Sequence, residues 1–230
     1  MKRADDKAID WRACLLFVDA HLAVIDKPAG VLSQKDKSGD LDLAELLAAY
    51  WKSAGEKTAF LAPVHRLDRN TSGAILLARS SAAAAKLTSS LRAGDIGRVY
   101  FAAVKGDPGE NGTISAPLAK DEAENKSEVS ERGRAAITHF RRTKKLAATS
   151  LVEVELETGR SHQIRAHFAH IRCPLLGDKK YAKAPWNQIF HRPALHAQAI
   201  RFPHPVTGKP LHFAAPLPAD LRELIGRIGG

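Results

Sequence analysis

The sequence predicts an α+β fold: a mixed, mostly antiparallel central sheet flanked by helices. Three observations predict it. Residues 152–157 (Val-Glu-Val-Glu-Leu-Glu) alternate strictly with period two, the mark of a half-buried strand in an antiparallel or mixed sheet, with its glutamates in water. Helical and strand-like segments are interspersed without the regular spacing of βαβ units. No internal repeat or linker divides the 230 residues, a length that suits a sizeable core.

Taken in order, residues 14–18 and 22–25 are short apolar runs separated by Asp19-Ala20-His21 and form a hairpin, which Lys27-Pro28-Ala29-Gly30 ends in a rigid turn. From Leu41 the apolar positions Leu43, Leu46, Leu47 and Tyr50 follow helical spacing. Residues 74–78 are a buried strand. Ser80 then caps a helix running to about Arg92, and Gly94 closes it. Residues 98–104 are another strand. Residues 164–171 form a short helix ending before Pro174, and residues 192–218 carry β-like pieces broken by Pro193, Pro203, Pro205, Pro210 and Pro216. Leu221, Leu224, Ile225 and Ile228 mark a terminal amphipathic helix. The polar stretch 120–134 (KDEAENKSEVSERGR) is expected to be a mobile surface loop. Residues 1–13 are expected to be an extension, and residues 14–230 a single domain.

Composition narrows the function classes. Hydrophobic residues at 44% and charged residues at 26% exclude wholesale disorder. The longest strongly apolar run, residues 15–18, is far short of the ~18–20 residues of a membrane helix. Residues 1–6 have no hydrophobic stretch behind their positive charges, as a secretory signal requires. Two cysteines, Cys14 and Cys173, are too few for a disulfide scaffold and fit reduced thiols in a cytoplasm.

The formal charge of +10 is unevenly placed. Residues 158–212 hold nine Lys/Arg, one acid (Asp178) and seven of the ten histidines, whereas residues 107–157 hold ten acids and eight bases. A polyanion on one face is implied, and nucleic acid is the usual one.

Two windows bear chemistry. In His65-Arg66-Leu67-Asp68-Arg69-Asn70-Thr71-Ser72-Gly73, an extended 65–68 would project Arg66 and Asp68 from one face and anchor Leu67 on the other. The turn residues that follow would leave Asp68 beside a cleft, where the flanking arginines favour the ionised carboxylate, a nucleophile or base. A surface Asp–Arg cluster is the plainer reading of that window alone. In Gly159-Arg160-Ser161-His162-Gln163-Ile164-Arg165-Ala166-His167, arginines, a glutamine and histidines gather after a strand, and Arg160, His162 and Gln163 suit phosphate and ribose contacts. His167, His170 and Cys173 recur every three residues, but that helical spacing turns the outer two about 120° apart, a poor metal site.

Together these windows, with Leu176-Gly177-Asp178 and Tyr181, resemble the RluA-type RNA pseudouridine synthase family. Asp26-Lys27-Pro28-Ala29-Gly30 is similar to its early motif, and Leu195-His196-Ala197 with Phe202-Pro203-His204-Pro205 to its late one. The resemblance runs in motif order over roughly residues 14–218. It implies a catalytic domain with a long sheet and a central active-site cleft, using neither cofactor nor metal. It implies that Asp68 is catalytic, that Tyr100 stacks on the target uracil, and that Arg165 pairs with the aspartate. Ile164 would line the base pocket, and Arg66 would help fill the place of a flipped base. The implied partner is structured RNA, transfer or ribosomal, acted on by a monomer. The chain departs from the family at Arg98, where Lys is frequent, and at Cys173, where His is frequent. A small N-terminal RNA-binding module, present in many relatives, has no room before residue 14. The competing readings are an RNA-binding protein of the same fold without turnover, and a histidine-rich metal hydrolase.

Overall fold

The computed structural model describes residues 9–56 and 60–229; the charges at residues 1–6 lie outside them. A short helix, α1 (Trp11–Cys14), starts where the Asp10 carboxylate accepts the amides of Arg12 and Ala13. Trp11 is buried in the main core, so ordered packing begins ahead of residue 14. Strands β1 (Leu15–Val18) and β2 (Leu22–Lys27) form the expected hairpin. Helix α2 (Leu43–Ser53) begins at Asp42, which forms a reciprocal capping box with Glu45. Leu41 lies ahead of that cap and is exposed, while Leu43, Leu47 and Trp51 are buried. Each such leucine contributes about 1.5–3 kcal/mol over an exposed one.

The two-residue strand β3 (Ala62–Pro63) precedes β4 (Ser72–Ala78), which is buried throughout. Helix α3 (Ser81–Ala93) has the expected ends: Ser80 accepts the Ala83 amide, and Gly94 closes the helix in the left-handed conformation. Then come β5 (Gly97–Lys105), β6 (Asn111–Ser115), β7 (Leu118–Asp121), β8 (Lys126–Val129), β9 (Ile137–Lys145) and β10 (Thr149–Leu156). Helix α4 (Gln163–His170), β11 (Leu195–Pro203), β12 (Pro210–Ala214) and α5 (Ala219–Gly229) complete the chain.

Two expectations need correction. Residues 120–134 are not a mobile loop: β7 and β8 pair as a hairpin, with Ser127 buried beneath Tyr181. The prolines of 192–218 frame strands instead of breaking them, since Pro203 and Pro210 pair at the loop end of the β11–β12 hairpin.

The main sheet has ten strands, in the order β1-β2-β4-β11-β5-β10-β9-β6, with β12 on β11 and β3 on β4. The pairing of β4 with β11 is its parallel one. The pleat sends alternate residues to opposite faces: Ile25, Ile75 and Tyr100 join α2 and α4 in one core, whereas Val24, Leu76 and Ile200 join α3 in another.

Register assembles the site. Lys27, Gly73, Ala197, Tyr100 and Val154 lie in one row across five strands. Asp68 enters five residues before Gly73, and α4 follows the end of β10 beside Tyr100. The row closes only because Gly73 has no side chain: its φ is +113°, and a Cβ there would fall 2.2 Å from the Ala197 carbonyl oxygen. Gly73→Ala is therefore expected to cost about 3 kcal/mol or more of stability, read as a shifted urea midpoint at unchanged slope.

Candidate active site

Residues 64–71 have no regular structure and must be held by others. Ser33 clamps Leu67 at both ends, its hydroxyl donating to the Leu67 carbonyl at 2.8 Å and accepting the Leu67 amide at 3.1 Å. The Gly30 amide and the Lys27 ammonium both donate to the Arg69 carbonyl. Lys27 is fully buried, also donates to the carbonyls of Pro28 and Val31, and has its pKa pulled down to about 7 by burial. The Thr71 amide closes a turn on the Asp68 carbonyl. Between these anchors Leu67 points into the core and Asp68 into a cleft.

The cation beside Asp68 is Arg165, as the resemblance implies, and not the flanking arginines to which the window alone pointed. Arg69 turns away to Asp40 and the Gly30 carbonyl, and Arg66 stands exposed. Arg165, from the first turn of α4, donates Nη1 to Asp68 Oδ2 at 3.0 Å. Its other edge is held bidentately by Asp178, at 2.7 Å from Nε and 2.9 Å from Nη2. Asp178 is fully buried, while Asp68 keeps 20% of its side chain exposed. Burial works against the charge of Arg165, but the two carboxylates outweigh it and hold the guanidinium firmly protonated. The Tyr181 ring lies under that guanidinium, 5.1 Å away. The Tyr181 hydroxyl donates to the Ser127 carbonyl and accepts the Ser127 amide, tying the β7–β8 hairpin to the site.

The cleft encloses about 440 Å³ and is lined by Asp68, Tyr100, Ile164 and Arg165 together with Arg66, Arg160, His162 and Gln163. All eight residues expected at the site are thus gathered in one place. Their availability differs. Tyr100 is almost fully buried, and burial raises the pKa of its phenol, so the ring is neutral. His162 adopts a left-handed backbone at the N-terminus of α4. Its Nε2 lies 3.8 Å from Asp68 and its Nδ1 lies 3.1 Å from the Tyr181 hydroxyl, while burial lowers its pKa and favours the neutral ring. Gln163 spends its amide inward, accepting from Thr158 and the Arg160 amide and donating to Ile137 and Thr138. It therefore shapes the wall. Arg160 is exposed and donates Nε to the Ala135 carbonyl.

A second cavity of about 380 Å³ shares Arg66, Asp68, His162 and Arg165 and continues past Arg69, Lys179 and Lys180. Part of the basic 158–212 charge is not on the surface: Arg165 and Arg192 are buried in ion pairs, the latter with Asp220. His167 has both ring nitrogens occupied, by Thr138 and the Ala116 carbonyl, and Cys173 is buried, whereas His170 is exposed. Asp178 and Tyr181 are the supporting residues whose roles the sequence did not reveal.

The two carboxylates should respond differently to neutralisation. Asp178→Asn strips a buried guanidinium of its bidentate partner and is expected to cost about 3–5 kcal/mol. Asp68→Asn, partly solvated and singly bonded, is expected to cost less than about 1.5 kcal/mol. Denaturation of both variants checks the ranking.

Comparison with known proteins bears on the family and the fold. Residues 21–170 match the family model described as RNA pseudouridylate synthase. The chain is 39% identical over 215 residues to an uncharacterized RNA pseudouridine synthase, YhcT, of Bacillus subtilis, spanning 91% of this chain and 70% of that protein. It is 37% identical over 228 residues to a ribosomal large subunit pseudouridine synthase D of Xanthomonas campestris, spanning 93% and 69%. Among solved structures, human RNA pseudouridylate synthase domain containing 4 superposes with a TM-score of 0.78 at 24% identity, over 95% of this chain and 94% of that one, and shares the fold. A sheet and cleft of this form, with sequence matches over nine-tenths of the chain, make it a member of the RluA-type RNA pseudouridine synthase family, an isomerase acting on RNA.

Proposed function

We propose that the cleft converts a uridine flipped out of structured RNA into pseudouridine, with Asp68 as the reacting carboxylate. The observation that carries this reading is the 3.0 Å bond from Arg165 to Asp68, in a cleft that also holds Tyr100 and Ile164. Arg165 keeps the carboxylate ionised and aimed, while one side of Asp68 remains open to a substrate. A carboxylate so placed can attack the sugar or the base, or take a ribose proton. By any of these routes the C1′–N1 bond breaks and a C1′–C5 bond forms. The hydrogen on carbon five leaves to solvent, and N1 gains one. Atoms and electrons balance without an oxidant or reductant.

Binding energy is divided along the cleft. Extracting a base from its stack costs a few kcal/mol, and stacking on one aromatic ring returns about 1–3 kcal/mol, so Tyr100 roughly offsets the flip. Affinity then has to come from the backbone, and the second cavity with Arg66, Arg69, Lys179 and Lys180 offers cations beside the reacting carboxylate. Arg66 is exposed where the two cavities meet, a position suited to occupying the gap a flipped base leaves. Relatives named for the ribosomal large subunit make its RNA the favoured substrate, ahead of transfer RNA. Action as a monomer in the cytoplasm fits this substrate.

Release of tritium from RNA labelled at carbon five of uracil tests the assignment. Wild type is expected to release it from unmodified large-subunit RNA, and Asp68→Asn to be slower by at least about a hundredfold with its fold retained. A variant of undiminished rate would remove Asp68 from the chemistry. RNA binding without release by wild type would favour the reading without turnover.

A further inference from the structure

Three arginines are buried among the described residues: Arg98, Arg165 and Arg192. Two are neutralised bidentately, Arg165 by Asp178 and Arg192 by Asp220. Arg98 is not. It is 7% exposed, has no ion pair among the described residues, and makes one long hydrogen bond, from Nη2 to the Leu156 carbonyl at 3.4 Å. Its Nε is buried without a partner. A buried charge left uncompensated is strongly destabilising, and such groups persist where function requires them.

What surrounds Arg98 says what would neutralise it. It lines the cleft and precedes Tyr100 by two residues on β5, so both point to the same face, about 7 Å apart along the strand. Another buried side-chain atom without a partner, Thr71 Oγ1, belongs to a residue lining the same cleft. Arg92 and Arg160 also line this cleft. Over the guanidinium lies Gly159, where a Cβ would come within 2.7 Å of Nη1. Donors without acceptors and a cation without an anion describe a seat for an anion.

We propose that Arg98 binds a backbone phosphate of the uridine nucleotide whose base stacks on Tyr100. The inference rests on the reading of the cleft as a uridine site and adds to it a phosphate anchor distinct from the Asp68–Arg165 pair. The guanidinium fork matches two phosphate oxygens, and Gly159 keeps the approach to Nη1 clear.

Titration of uridine, uridine 5′-monophosphate and uridine 3′-monophosphate into wild type, Arg98→Gln and Arg98→Lys tests this. Wild type is expected to bind at least one monophosphate about tenfold more tightly than uridine, the two arms showing which phosphate is held. Arg98→Gln should erase that advantage while leaving uridine affinity unchanged, and Arg98→Lys should keep part of it. An advantage absent from wild type, or undiminished in Arg98→Gln, overturns the proposal. An equal loss of uridine and monophosphate affinity in Arg98→Gln also overturns it, placing Arg98 on the base or ribose. Should Arg98→Gln fail to fold, Gly159→Ala, which presses a methyl group on Nη1, is expected to reduce the same advantage, and no reduction counts against the seat. Monophosphate binding does not depend on turnover. A protein that shows the phosphate advantage but releases no tritium from RNA would keep the anchor and lose the isomerase reading.

Discussion

The Arg165 guanidinium, shared between a fully buried carboxylate and a partly open one, is the interaction on which the site depends. Asp178 takes two of its donors and fixes the plane of the group, so the remaining Nη1 can meet Asp68 in only one direction. Two carboxylates on one guanidinium make this triad net negative, within a cleft otherwise lined by arginines. That arrangement is sustainable because Asp68 retains solvent contact while Asp178 does not. Tyr181 adds a ring beneath the cation and carries the order of the site outward to the β7–β8 hairpin.

The fold supplies this pair with rigid neighbours. The row Lys27–Gly73–Ala197–Tyr100 sets where the 64–71 segment and the start of α4 meet, and its tolerances are those of backbone contact at Gly73. Loop residues bearing function are usually held by a scaffold, and here Ser33, Lys27 and Gly30 hold Leu67 and Arg69 on either side of Asp68. Arg192 reaches from beside β11 to the Asn70 carbonyl, the Ser72 hydroxyl and Asp220, joining the same segment to the terminal helix.

What the sequence made readable follows a physical division. Local signals were accurate: the Ser80 cap, the Gly94 stop, the alternation of residues 152–157 and the spacing of Leu43 and Leu47 depend on neighbours in the chain. Motif resemblance brought Asp68, Tyr100 and Arg165 forward, and they share one cleft. Features decided by distant partners were not readable. Residues 120–134 look like a loop by composition, yet Tyr181, 54 residues beyond Ser127, pins them into a hairpin. Strand β9 has few apolar residues because much of it faces solvent, so its period is masked. The window around Asp68 alone pointed to the neighbouring Arg66 and Arg69, and only the motif resemblance brought forward the partner 97 residues away. Asp178 stood within a recognised motif, but nothing local distinguishes a buried clamp from a surface acid.

The central claim is that Asp178, Arg165 and Asp68 act as one unit in which the buried carboxylate aims the guanidinium. The most direct measurement is a double-mutant cycle of Asp178→Asn with Arg165→Lys, read as single-turnover tritium release from RNA under conditions where all four proteins are folded. If the unit exists, Arg165→Lys slows wild type far more than it slows the Asp178→Asn protein, because the aimed fork is already lost there. Equal slowing in both backgrounds would mean the two residues act independently and would contradict the account.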